Sequence, residues 1–455
     1  MPVHNISRYA MINVPRYTSY PTAPHFHAEV GPDTYARWLG QLSTPDETSS
    51  DTVSLYLHVP FCREICSYCG CQTKASRKEA PLQAYGDVLA EEVRLVGSHL
   101  TRRPKVMHIH WGGGTPSLLP DASFQNVLAE IYAWFDCSPT MEHAIELDPR
   151  LVTSRLARNL SSYGVTRVSL GVQDFNPRVQ TAIGRIQPIG TVRTAVQRLN
   201  DAGLHAINMD VMYGLPHQSL EDVVNSATVC ADLGADRIAL FGYAHVPWMK
   251  KNQRLIDEAA LPCASRRLEQ VRAAHRALEH LGYVSIGFDH FARPDNPMAH
   301  AMRCGKLKRN FQGYTTDTAT TLIGFGASSI GKFSQGYVQN SADTRSWTRA
   351  IEAGLLATAR GYAMQGEDTL RAEIIEELLT GFHTDLSAQR GGICPDQHWI
   401  NEQLIALDDL ADDGLCEVMG NEVSIPKDAR FLARLVASRF DVHASKRVVK
   451  HSAAV

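Results

Sequence analysis

The sequence predicts an α/β fold: a partial, TIM-like (β/α)6 barrel with an N-terminal extension and a small, mostly helical C-terminal domain. Three observations predict it. Short apolar runs alternate with amphipathic stretches from residue 54 onward, as in a parallel sheet joined by right-handed crossovers. Polar residues of unusual composition follow each apolar run, at the edge where curved sheets of this kind carry functional loops. Gly164, Gly203, Gly234 and Gly282 close the amphipathic stretches, as a helix C-terminal stop does.

The six units follow in order. Residues 54–59 (SLYLHV) precede a helical pattern at 82–99, and 106–111 (VMHIHW) precede one at 122–135. Residues 143–147 lead to 154–163, and 167–171 lead to 179–183 and 191–201. Residues 206–213 (AINMDVMY) lead to 220–233, and 237–242 (RIALFG) to a long pattern at 264–281. The polar edge comprises the cysteine loop, Gly112–Thr115, Asp148 and Pro149, Gln173 and Asp174, Gly214–Pro216, and Tyr243–His245.

Outside the repeat, residues 1–53 read as an extension to the substrate site, 54–290 as the barrel, 291–365 as an irregular covering segment and 366–455 as a helical domain. Within the last, residues 416–418 and 423–425 read as a hairpin about Gly420–Asn421. Helices followed by a hairpin suggest a winged-helix-type module. The acidic run at 408–413 (DDLADD) argues against DNA binding, and a lid over the substrate is expected.

At 455 residues the chain has room for one large and one smaller domain. Its 44% hydrophobic content supports a sizeable core, and 20% charged residues argue against disorder. A net charge of −3 and a pI near 6.7 give no sign of a nucleic-acid partner. No run approaches the roughly 18 apolar residues of a membrane span. The first ten residues, with His4, Asn5 and Arg8, lack the apolar centre of a signal peptide. A cytoplasmic protein is expected.

Four of ten cysteines, Cys62, Cys66, Cys69 and Cys71, fall within ten residues. A disulfide framework would be spread more evenly and needs an oxidising compartment, so the cluster reads as metal binding. Cys137, Cys230, Cys263, Cys304, Cys394 and Cys416 read as small apolar core residues. The spacing Cys62-x3-Cys66-x2-Cys69 supplies three thiolates, one fewer than a 4Fe–4S cluster ordinarily takes, leaving one iron open for chemistry. Structural zinc normally uses two separated cysteine pairs, and Cys69-x-Cys71 is too tight a pair for that. Tyr68, just before the third cysteine, offers a ring to pack on a planar group such as adenine. His58 shares a strand face with Tyr56 and reads as lining the site. His108 and His110 share a face too, and read as site-lining or satisfied core residues rather than a metal pair.

The CxxxCxxC at the end of a first barrel strand resembles the radical S-adenosylmethionine (SAM) superfamily. CREICSYCGC, with its extra Cys71, resembles more narrowly the oxygen-independent coproporphyrinogen III oxidase family. PRYTSYPTA, WGGGTPS, ELDPR, SLGVQDFN, DVMYGLP, YAHVP, DHFARPD and RNFQGYTT look like that family's segments in its order, across almost the whole chain. The resemblance implies a 4Fe–4S cluster on Cys62, Cys66 and Cys69, with two SAM positions beside it. Tyr56, Tyr68, Gly113, Glu146 and Ile330 match contacts of the first SAM; Gly114, Thr115, Gln173, Arg185, Asp210 and Ala244 match those of the second. The residue types suit these roles. Glycines let carbonyls approach an ammonium, Arg185 can fork a carboxylate, and Asp210 or Glu146 can accept from ribose hydroxyls or the ammonium. Cys71 is expected beside the cluster or substrate without ligating iron, and is grouped with His58 as a catalytic candidate.

The implied reaction is anaerobic. A 5′-deoxyadenosyl radical takes hydrogen from a propionate β-carbon; CO2 and one electron leave, and a vinyl group remains. Two such decarboxylations turn coproporphyrinogen III into protoporphyrinogen IX. A substrate with four carboxylates calls for cations, and Arg16, Arg293, Lys308 and Arg309 are the expected anchors. The resemblance further implies an electron donor such as a flavodoxin or ferredoxin, and a monomer. Two other readings are a haem-binding or haem-delivery protein of the same lineage and a radical SAM methyltransferase. Cys71 and residues 15–23 favour the oxidase over the haem-delivery protein. Protein purified without oxygen is expected to carry iron and inorganic sulfide; metal analysis returning zinc instead would overturn the cysteine assignment.

Overall fold

The computed structural model describes Tyr9, residues 12–42 and residues 52–444. Apart from Tyr9, the first ten residues and the reading made of them lie outside this set.

Six strands match the predicted rhythm: β1 (Thr52–Val59), β2 (Lys105–Gly113), β3 (Asp136–Leu147), β4 (Arg167–Gln173), β5 (Ala206–Tyr213) and β6 (Arg237–Gly242). They pair in parallel in sequence order. Helices Ala80–Ser98, Asp121–Trp134, Ser154–Ser162, Ile189–Asp201, Leu220–Asp232 and Ala264–His280 fall between or after them. Each strand has two unlike faces. In β1, Leu55 and Leu57 are buried in the main core, while Ser54, Tyr56 and His58 alternate with them. The apolar face packs on the helices; Trp111 of β2, for instance, stacks on Phe124 at 4.2 Å between ring centroids.

The opposite, inner face is polar, and its groups are paired. Glu142 receives Arg167 at 2.9 Å and lies 3.7 Å from Arg237 and 3.8 Å from His108. Asn208 donates to Ser169 at 2.7 Å and to Asp210 at 2.8 Å. Burial alone would raise the Glu142 pKa, but the charges of Arg167 and Arg237 and the His108 hydrogen bond hold it well below the carboxylate range.

The segment expected to be irregular is largely sheet. β7 (Val284–Ile286) and β8 (His290–Ala292) extend one edge antiparallel beyond β6. At the other edge β9 (Thr321–Phe325) pairs in parallel with β1, from Val53↔Thr321 to Leu57↔Phe325. β10 (Ile330–Phe333), β11 (Gly336–Asn340) and β12 (Thr358–Ala363) continue antiparallel. The result is a 12-stranded sheet, order β12-β11-β10-β9-β1-β2-β3-β4-β5-β6-β8-β7. These strands escaped the sequence reading because three to six residues are too few to show a period. Several also carry glycine; a Cβ on Gly324 would lie 2.8 Å from the Ile330 carbonyl.

The hairpin near the C-terminus, Glu417–Met419 with Glu422–Ser424, gains a third strand, His383–Asp385. The cysteine expectation is corrected in part. Cys230 and Cys416 are buried, but Cys263, Cys304 and Cys394 are exposed, the first two because they flank helix ends.

Glu92, on helix Ala80–Ser98, ties the added strands to the barrel. Its carboxyl accepts from the Gly326 N–H and from Asn340 Nδ2. Burial raises its pKa from 4.5 to about 7. The folded chain therefore keeps a proton between those values that the unfolded chain releases, so stability falls as pH rises across that window, by roughly 3 kcal/mol. Urea midpoints at pH 5 and pH 8 should show this slope in the wild type and lose most of it in Glu92→Gln; an equal slope in both would defeat the assignment.

Candidate active site

The cysteine loop leaves the C-terminal end of β1. Its base is closed by a short parallel bridge, Phe61↔Lys74 and Cys62↔Ala75. Its interior is held from outside: Asn252 Nδ2 donates to the carbonyls of Cys66, Ser67 and Cys69 at 3.1, 3.3 and 2.9 Å. Gln253 Nε2 donates to Tyr68 O at 2.8 Å, and Lys250 Nζ to Cys71 O at 3.0 Å. This pinning turns Cys62, Cys66, Cys69 and Cys71 toward one cavity of about 530 Å3.

Donors approach the sulfurs. Thr115 Oγ1 lies 3.7 Å from Cys62 Sγ, and Arg185 Nη1 3.6 Å from Cys66 Sγ. Burial pushes the Cys62 thiol up to about 11. The hydrogen bond between Cys69 and Cys71 moves the first thiol down and the second up. Among the described residues no three His, Cys, Asp or Glu side chains close on a point that would hold a single metal ion. Three thiols spread around a volume, with a guanidinium and a hydroxyl beside the sulfurs, suit an anionic polynuclear cluster.

The glycine loop after β2 forms the next wall. Gly113 takes φ +110°, and a Cβ there would sit 2.5 Å from His58 Cε1; one on Gly114 would sit 2.4 Å from Phe61 O. Only glycine lets this backbone pass so close to the cysteine loop. Glu146 accepts from the Gly113 N–H at 3.2 Å and lies 3.2 Å from His110 Nε2. Burial works to raise its pKa, yet the His110 contact and the Gly113 N–H hold it below the ordinary carboxylate value. Asp210 is different: burial and the neighbouring Glu146 charge raise it to about 6. Arg185 lies 3.6 Å from Asp148 and donates to Gly171 O at 2.7 Å. Glu146 and Asp210 on this wall are acceptors fit for an ammonium or ribose, and the Arg185 guanidinium is fit for a carboxylate, matching what SAM presents.

Of the residues expected from sequence, Tyr68, Gly113, Gly114, Thr115, Glu146, Gln173, Arg185, Asp210, Ala244 and Arg16 line this cavity with the four cysteines. Tyr56 and His58 lie behind the glycine loop rather than on the cavity wall. The Tyr56 hydroxyl meets His58 Nδ1 at 3.0 Å, and His58 Nε2 meets Gln72 O at 3.2 Å, so His58 braces the cysteine loop. Ile330 stands on β10, packed against Phe26, Tyr337 and Tyr362. Asp174 and Gly214–Pro216 also stay off the wall; Asp174 is fully buried and accepts from Gln218 at 2.7 Å.

The expected substrate anchors divide. Arg309 lines an adjoining chamber with Arg16. Arg293 stacks on Tyr283 and donates its backbone N–H to the carbonyl of Asp236, just before β6, at the end of the sheet opposite the cysteines. Lys308 is half-exposed, 3.9 Å from Glu376. Neither serves this cavity. Asn252 and Gln253 were missed because a loop that pins another loop carries no periodic signal.

Residues 56–230 match the Radical SAM superfamily. The chain is 44% identical over 451 residues, 98% of each sequence, to an oxygen-independent coproporphyrinogen III oxidase of Bradyrhizobium diazoefficiens. It is 35% identical to that of Synechocystis, covering 94% of this chain and 92% of the relative. The solved structure of Escherichia coli coproporphyrinogen III oxidase, described as a radical SAM enzyme, superposes with a TM-score of 0.85 at 32% identity, over 94% of this chain and 97% of that one.

Reconstituted Cys62→Ala, Cys66→Ala and Cys69→Ala variants should each lose most of their iron and sulfide, whereas Cys71→Ala should keep them. Iron and sulfide assays on the four proteins decide it; loss in Cys71→Ala equal to the others would make that thiol a ligand.

Proposed function

This chain belongs to the oxygen-independent coproporphyrinogen III oxidase family of the radical SAM superfamily, and from that premise we propose how its own residues divide the work of the reaction. The activity is the anaerobic oxidation of coproporphyrinogen III in haem biosynthesis by radical SAM chemistry, which requires a 4Fe–4S cluster and SAM. When bound, these would supply the radical chemistry that oxidative decarboxylation of a propionate to a vinyl group needs.

The protein's part is binding, orientation and exclusion of water. Cys62, Cys66 and Cys69 hold the cluster, and Cys71 stays beside it. Gly113 and Glu146 receive the first SAM, with the Tyr68 ring against its adenine. Arg185, Asp210, Gln173, Gly114, Thr115 and Ala244 serve a second position alongside. Tyr56 and His58 act through the loops they brace. The observation that carries this reading is the convergence of the cysteine loop, Glu146, Asp210 and Arg185 on one cavity.

The N-terminal extension and the C-terminal domain close the substrate side. Tyr17 donates to Asp441 at 3.0 Å, and Tyr20 accepts from the Val442 N–H at 3.4 Å. A one-electron donor of the flavodoxin or ferredoxin kind reduces the cluster, and the enzyme works as a monomer. No helix among the described residues is long and apolar enough to cross a membrane.

Anaerobic reconstitution with iron and sulfide, then incubation with coproporphyrinogen III, SAM and a reductant, should yield protoporphyrinogen IX, CO2 and 5′-deoxyadenosine. Methylated product, or stoichiometric haem capture without decarboxylation, would replace this function with another.

A further inference from the structure

Beside the cluster cavity lies a second chamber of about 210 Å3, and the two share Arg16, Phe241, Gly242 and Tyr243. Four arginines from distant parts of the chain line it: Arg16 from the extension, Arg267 from helix Ala264–His280, Arg309 from the covering segment and Arg434 from the C-terminal domain. The carboxylate among its lining residues is Asp289, which lies 2.6 Å from His290. Among the described residues that line it, four guanidinium groups therefore stand beside one acid.

This arrangement is held, not incidental. Arg16 donates to Gly242 O at 3.0 Å, and Arg267 to Tyr243 O at 2.8 Å. Arg309 is sandwiched over the Phe288 and Tyr314 rings at 4.8 and 4.6 Å, with its side chain 5% exposed. It approaches Asp289 at 4.0 Å, yet its Nε and Nη1 have no hydrogen-bond partner among the described residues. Burial, and then the charge of Arg16, lower the Arg434 pKa to about 10. A buried guanidinium with donors left unmet is unfavourable until an anion meets them, and Arg309 carries two such donors. Aromatic stacking pre-orders Arg309, so little freedom is lost when it forks a carboxylate.

We propose that this chamber binds the carboxylates of the substrate's non-reacting propionates, through Arg309 and Arg434 at its heart with Arg16 and Arg267 at its rim. This rests on the function proposed above. The macrocycle then spans the shared wall of Phe241, Gly242 and Tyr243. Its anchored side chains lie in the arginine chamber, and the reacting propionate lies in the cluster cavity. Arg16, which borders both, orients the ring between them. The product keeps the propionates held here, so the chamber orients the ring for both decarboxylations.

The test uses reconstituted, full-length enzyme and the stable oxidised porphyrin, coproporphyrin III, with binding read by fluorescence. Arg309→Gln and Arg434→Gln should each weaken coproporphyrin III binding by about 10- to 100-fold, the range for losing a charged hydrogen bond. Binding of protoporphyrin IX, which keeps the two propionates that do not react, should be weakened as well. SAM affinity and reductant-driven SAM cleavage should be unchanged, and Arg309→Lys should recover part of the loss. Unaltered porphyrin affinity in both Gln variants overturns the proposal, as does a fall in SAM affinity instead, which would give the chamber to the SAM carboxylate. Should Arg434→Gln fail to fold by circular dichroism, Arg267→Gln takes its place. SAM cleavage without any porphyrin separates the two claims: its absence in the wild type defeats the radical SAM assignment, whereas porphyrin affinity in the variants judges the chamber alone.

Discussion

The structure depends on a sheet whose inner face is charged and must be neutralised where water is scarce. Glu142 with Arg167 and Arg237, Asn208 with Ser169 and Asp210, and Glu146 with His110 form successive rungs across β2 to β6. A buried charge left alone costs several kcal/mol, and one met by a hydrogen-bonded partner is tolerated. This pairing fixes the height and orientation of Glu146 and Asp210. Those two carboxyls then stand at the rim with opposite tendencies, one held ionised and the other raised to about 6.

The cysteine loop gains its shape by a different route. Ten residues without helix or strand ladders cannot order themselves cheaply, and their backbone groups need partners. Asn252 and Gln253 supply them, with four side-chain amide bonds to one turn of the loop. Tyr85 and His58 support the strand end beneath: the Tyr85 hydroxyl donates to His58 O at 2.7 Å. The protein's own contacts thereby set the loop's shape, which is the condition for positioning reactive groups against a substrate.

Closure of the other side draws on both chain ends. The acidic run that argued against DNA binding has structural partners: Asp409 receives Arg439 at 2.6 Å, and Asp413 accepts from the Tyr9 hydroxyl. Together with Tyr17 and Asp441, these contacts bring residues near the two termini together beside the arginine chamber. A domain that seemed separable in sequence therefore contributes a wall residue, Arg434, to the same space as Arg16.

The amino-acid sequence by itself determined the βα rhythm of residues 52–280, the cysteine trio and most of the cavity wall. The rhythm and the trio are written in local spacing, whereas Glu146, Arg185 and Asp210 on that wall were read from the family resemblance. It carried no signal for the seventh parallel strand, for Asn252 and Gln253 over the cysteine loop, or for the meeting of Arg267 and Arg434 with Arg16 and Arg309. It also drew Arg293 toward a site that it does not reach. Those outcomes depend on which segments become neighbours after the sheet has curved, and an isolated arginine reads the same whether it faces solvent or a buried chamber. Spacing fixes what lies within a few residues; only the packed fold decides which distant charges must share one space.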